Sequence, residues 1–276
     1  MKSAIRVTAV ALLLSAAGCL ESEPLGVPVR GRMHDGDELV QFSLLSALAA
    51  GDYAGGAPLQ QLLQFGDFGV GTFDRLDGEM IVLDGDIFQV KADGTVVPRD
   101  GAGATPFATV TFFEADGQLD GIAASSLTEL DHQLDRRVPN AKRPVAFKVT
   151  GEFAELTLRS APPQKPPYRP LAEVIDQQQV WTRQNVRGTL IGVRCPAWMG
   201  TLNVAGYHWH FLSDDRTIGG HVLDCRVEGA RGAYDECSSL LVRLPDSKSF
   251  DAADVSSVSD ADVEKIERQR GKEDAH

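Results

Sequence analysis

The chain has 276 residues, of which 43% are hydrophobic and 24% charged, a composition that excludes a disordered polymer and suits one large domain or two small ones. It carries 27 Lys and Arg against 39 Asp and Glu, a formal charge of −12. That balance argues against nucleic acid and anionic lipid surfaces as partners, because both are held by clustered cations.

At the N-terminus Lys2 and Arg6 flank the start of an apolar stretch, Val7 to Leu14, followed by Ser15, Ala16, Ala17, Gly18 and Cys19. A basic start, an apolar segment of this length and a run of small residues read as a secretory signal over 1–18. The Ala-Gly-Cys end resembles a bacterial lipoprotein box with Cys19 as the lipidated residue, although Ala16 stands where a larger aliphatic is usual. The expectation is an exported protein, periplasmic or anchored to the cell envelope, that meets membrane only through an N-terminal lipid. Residues 19–35 read as a tether. Elsewhere no apolar run is long enough to span a bilayer. Of Cys195, Cys225 and Cys237, an oxidising compartment could close one pair, and 225 with 237 makes the shortest loop.

Asp37 to Ala50 has helical apolar spacing and is ended by Gly51, and Pro58 to Phe65 reads as a second short helix. From Phe68 the period changes to short apolar runs broken by Asp-Gly pairs, the pattern of antiparallel strands joined by tight turns. Phe107–Phe113 is a further strand. Ser126 and Glu129 form a capping box before a helix reaching about Arg137. Val145–Arg159 reads as strand, and the prolines on both sides of Lys165 exclude regular structure there. Leu171–Gln184 is predicted helical. Strands are expected at Gly188–Val193, Tyr207–Leu212, His221–Val227 and Leu240–Leu244, with a last polar helix near Asp260–Gln269.

Three of the six histidines fall within GYHWHFLSDDRTIGGHVLD: His208, His210 and His221. Residues two apart on a strand share a face, so His208 and His210 point one way while Tyr207, Trp209 and Phe211 point the other. If the chain returns through the polar turn after Ser213 as an antiparallel strand, His221 reaches the same face, and Gly219 and Gly220 allow a tight backbone path into it. Three imidazoles so placed form a tripod for a divalent metal, zinc being favoured, with positions left open for chemistry. Asp214, Asp215 and Arg216 read as turn and ion-pair residues beside it. The alternative is a set of half-buried strand histidines without metal.

The fold class expected is α+β, with two mixed or antiparallel β-sheet subdomains, flanking helices, and the metal site on a β-hairpin near their junction. The divisions are an N-terminal α+β half at 36–165, a metal-binding half at 166–250, and a linker with a C-terminal helix and tail at 251–276.

The segments GYHWHFLSDDRTIGGHVLD, GTFDRLDGEMIVLDGDIFQV and LRSAPPQKPPYRPL resemble the alpha-acetolactate decarboxylase family, and the likeness runs in order from about Asp35 to near residue 270. The resemblance implies a homodimeric enzyme that converts (S)-2-acetolactate to (R)-acetoin and CO₂. It implies a zinc ion on His208, His210 and His221, with the metal stabilising an enediolate. It further implies catalytic roles for Glu79, Arg159 and Glu267, and a substrate-binding place for Thr72 and Arg159. Glu264 lies one helical turn from Glu267 and competes for that assignment. Two other readings stand beside it. One is a zinc lyase for another branched 2-hydroxy-3-oxo acid; the other is an exported zinc- or metabolite-binding lipoprotein without turnover.

Overall fold

The Asp84-Gly85 pair shows how the strand-rich region is built. Both residues take positive φ (53° and 86°), and the two-residue turn they form sets Leu83 opposite Asp86 in a tight hairpin. The computed structural model describes residues 37–256 and 259–268. The expected signal at 1–18, Cys19, the tether at 19–35 and the tail from 269 lie outside the described residues.

In chain order the elements are β1 (Glu38–Phe42), α1 (Leu45–Ala49), β2 (Ala57–Pro58), α2 (Leu59–Leu62), β3 (Phe68–Thr72), β4 (Glu79–Leu83), β5 (Asp86–Val90) and β6 (Val96–Arg99). There follow β7 (Ala104–Thr105), β8 (Ala108–Thr111), β9 (Gly117–Ala124), α3 (Leu127–Arg137), β10 (Val145–Ser160) and α4 (Leu171–Val174). The chain continues through β11 (Gln179–Cys195), β12 (Gly206–Ser213), β13 (Gly219–Glu236), β14 (Ser239–Arg243), α5 (Lys248–Ala252) and α6 (Asp260–Arg268).

Two main sheets result, with few helices, an α+β architecture. The first runs β14-β1-β8-β3-β4-β5-β6 and is mixed, since β1 and β14 are parallel while its other pairs are antiparallel. The second runs β10-β11-β12-β13-β9 and is antiparallel; β10 also pairs with β13, so four of its strands close into a ring. Each sheet draws strands from both sides of residue 165, the boundary drawn between the two halves: β9 and β10 enter the second sheet and β14 enters the first. Phe68, Val70, Ile81 and Val90 of the first sheet pack with Ala146, Ile191 and Leu212 of the second. The opposite face of the second sheet packs Phe147, Phe153, Trp209 and Phe211 beneath Leu130 and Leu134 of α3. The Ser126 hydroxyl accepts the Glu129 amide hydrogen at 3.2 Å, the expected cap of that helix.

Three expectations are corrected. The helical run at 37–50 divides: Glu38–Phe42 is a strand, and only Leu45–Ala49 is helix. Its neighbours β8 and β14 flank it on both edges, and Leu39 packs on one face while Val40 and Phe42 pack on the other, so pairing overrides the local period. The helix predicted over 171–184 stops at Val174, followed by a tight turn at Ile175–Gln177; from Gln179 the chain belongs to the long β10–β11 ladder. Cys195, Cys225 and Cys237 are all free and buried. Cys225 lies within β13 and Cys237 just past its end, and an extended chain rises about 3.3 Å per residue, which separates them far beyond disulfide reach.

Candidate metal and active site

The alternation along β12 turns His208 and His210 toward the first sheet, while Trp209 faces the core under α3, with its indole N–H donated to Asp131 at 2.9 Å. β13 brings the third imidazole, because His210 and His221 are direct cross-strand partners. Gly220 precedes it with φ 143°, and a Cβ there would stand 2.8 Å from the Arg159 carbonyl oxygen, so the close strand approach requires glycine. The three rings are buried, with centroids 4.9 to 5.5 Å apart, and one ligand nitrogen from each lies within 4.8 Å of the others. Asp214, Asp215 and Arg216 occupy the β12–β13 turn as expected; Asp215 accepts hydrogen bonds from Ser213 and Thr217 and does not enter the cavity.

The donor set suits a divalent cation. Burial holds His208 down to about 3 and His210 and His221 well below their ordinary range, with the Arg159 cation adding to the effect, so all three present neutral imidazoles. His210 Nδ1 lies 2.7 Å from the Met80 carbonyl; a carbonyl only accepts, so Nδ1 carries the proton and Nε2 offers its lone pair. Among the described residues this is the group of His, Cys, Asp and Glu side chains arranged to hold a metal.

The other expected residues gather at the same place. Thr72, Glu79, Arg159, His208, His221 and Glu267 line one cavity. Glu79 begins β4, and its Oε2 is 3.4 Å from His210 Nε2. Burial pushes its carboxyl up to about 7, opposed by Arg159 and reinforced by Glu267. Glu267 comes from α6 at the far end of the described chain, where its Oε2 is 3.6 Å and its carbonyl oxygen 3.1 Å from His221 Nε2. Thr72 donates its hydroxyl hydrogen to the Gly78 carbonyl at 2.7 Å, so toward the cavity it offers only lone pairs.

Opposite these groups stands an apolar wall from Leu45 and Leu48 of α1, Phe107, Leu171, Ile175 and Ile266. The sequence reading did not select these residues, because each is an ordinary core aliphatic or aromatic until the fold brings it here. It also missed Gln178, whose Oε1 accepts from Arg159 Nη1 at 2.9 Å. No local signal marks that glutamine within a stretch read as helix.

A neutral imidazole tripod, a buried arginine and two carboxyls around one partly apolar cavity can hold a metal, bind an anionic substrate and move a proton. Residues 39–257 match the family model described as alpha-acetolactate decarboxylase. A curated protein of that name from Methanosarcina mazei is 43% identical over 232 residues, covering 84% of this chain and 81% of that protein. Another from Raoultella terrigena is 38% identical over 239 residues, covering 86% and 92%. The crystal structure of alpha-acetolactate decarboxylase from Bacillus subtilis superposes with a TM-score of 0.81 at 31% identity, covering 84% of this chain and all of that one. The chain therefore belongs to the alpha-acetolactate decarboxylase family and is a carboxy-lyase.

Proposed function

We propose that this protein catalyses the zinc-dependent decarboxylation of (S)-2-acetolactate to (R)-acetoin. The observation that carries the reading is the clustering of His208, His210 and His221 beside one cavity, which His208, His221, Arg159, Glu79 and Glu267 line while His210 lies 3.4 Å from Glu79.

Acetolactate carries a tertiary hydroxyl and a carboxylate on one carbon and a ketone on the next. Breaking the bond to the carboxylate sends its electron pair toward the ketone oxygen as CO₂ leaves, and the resulting enediolate must then gain one proton on carbon. A zinc ion held by the three histidines supplies a Lewis acid for that developing oxygen charge. Arg159, a planar cation whose charge burial disfavours and the neighbouring Glu79 and Glu267 support, holds the substrate carboxylate before it departs. Thr72 presents lone pairs that can take a hydrogen bond from the substrate hydroxyl. Glu79, its carboxyl raised to about 7, keeps a proton available at neutral pH, and the nearby Glu267 charge helps it do so. The apolar wall accommodates the two methyl groups of the substrate.

The N-terminal pattern supports the accompanying proposals of export and of lipidation at Cys19, and family membership supports a homodimer.

The experiment is to incubate purified protein with acetolactate and measure acetoin above the spontaneous background, before and after chelation and zinc return. Metal-dependent excess acetoin is expected. Stoichiometric zinc and ligand retention without turnover would favour a binding protein, and activity confined to the ethyl homologue acetohydroxybutyrate would move the substrate assignment.

A further inference from the structure

Arg159 is almost fully buried on β10, and one of its terminal nitrogens is already engaged: Nη1 donates to Gln178 Oε1 at 2.9 Å. Its Nε is also buried and has no hydrogen-bond partner among the described residues. A guanidinium grips a carboxylate either end-on, through its two terminal nitrogens, or side-on, through Nε and Nη2. End-on binding would draw on the second N–H of an Nη1 already fixed by Gln178 and would leave the buried Nε unpaired. Side-on binding satisfies the orphaned Nε instead.

Gln178 is itself well placed to hold the guanidinium. It is buried, it follows the tight turn at Ile175–Gln177, and its backbone N–H donates to the Ile175 carbonyl at 3.1 Å. Ile175 lines the cavity, so one short turn supplies both a piece of the apolar wall and the acceptor that orients the cation. Without that acceptor, the charges of Glu79 and Glu267 are the competing attractions for Arg159.

We propose that Gln178 is a positioning residue, which ties down Nη1 of Arg159 so that the substrate carboxylate is taken side-on by Nε and Nη2. This deepens the decarboxylase reading and rests on it for the identity of the carboxylate ligand.

The test is Gln178→Leu, with Gln178→Glu as the second variant because it keeps shape and acceptor while adding a charge that competes for the guanidinium. Three readouts are taken on zinc-loaded protein: KM and kcat for acetolactate, binding of 2-hydroxy-2-methylpropanoate by calorimetry, and inhibition by acetoin. Both variants should raise KM and weaken the carboxylate ligand by about tenfold or more, while inhibition by acetoin, which has no carboxylate, stays at the wild-type level. Unchanged KM and carboxylate binding in either variant would overturn the proposal, as would equal weakening of acetoin and the carboxylate, the mark of a merely structural role. Calorimetry needs no turnover, so a wild-type protein that makes no acetoin would defeat the decarboxylase reading while Gln178 is still read by binding. Wild-type protein that binds no carboxylate ligand at all would overturn the Gln178 assignment.

Discussion

His210 and His221 stand directly opposite each other on β12 and β13, their rings 5.5 Å apart and buried between the two sheets. Directly paired residues on adjacent antiparallel strands point to the same face, so this single register choice brings the third imidazole to the other two. A slip of one residue would turn it away.

In the proposed zinc site each histidine supplies one of the three protein ligands. His208→Ala or His221→Ala should lose bound metal and activity together, with turnover down about 100-fold or more. Metal content by elemental analysis beside acetoin production checks this, and full activity in a metal-free variant would refute it.

Arg159→Lys should keep its metal yet lose most turnover, about 100-fold, since a point charge cannot reproduce the planar fork. Steady-state kinetics on metal-quantified protein decides it. A fully active lysine variant would remove Arg159 from carboxylate binding.

Glu79 should leave its mark on the pH profile. With a carboxyl raised to about 7, it is protonated below that pH and ionised above, so kcat/KM should decline as pH rises through neutrality. Glu79→Gln should lower the rate about 100-fold and remove that limb. A variant profile parallel to the wild type would assign the proton elsewhere.

Asp235 predicts a stability effect remote from the cavity. It is fully buried and accepts the Glu114 N–H at 3.1 Å, and its other oxygen has no partner among the described residues. Burial pushes it up to about 7; the Glu114 N–H opposes this, and the charges of Asp116, Asp37 and Glu114 add to it. Between the unfolded carboxylate range and pH 7 the folded chain binds the extra proton, so this group's contribution falls as pH rises through that window. Asp235→Asn should gain about 1–3 kcal/mol relative to wild type on going from pH 5 to pH 8, read by denaturant melts. Equal differences at both pH values would exclude the effect.

The local pattern was enough to place several parts of the site. His-x-His alternation in GYHWHFLS is a property of any strand, and β12 shows the common face it implies. The Asp-Gly turns that open β5 and precede β4, and the capped start of α3, follow from residue chemistry alone. Family-bearing segments located Thr72, Glu79 and Arg159, the C-terminal end of the likeness offered Glu267 beside Glu264, and Thr72, Glu79, Arg159 and Glu267 line the cavity.

What the folded chain decided was non-local pairing. Glu38–Phe42 reads as helix by period yet is a strand because β8 and β14 hold its two edges, and residues 179–184 are strand because β10 runs beside them. The same long-range closure sets Ile266 against Leu45 and Leu48, and Gln178 against Arg159. Side-chain alternation and turn propensity are encoded within a few residues, whereas these contacts join segments whose meeting depends on the free energy of the whole packed core.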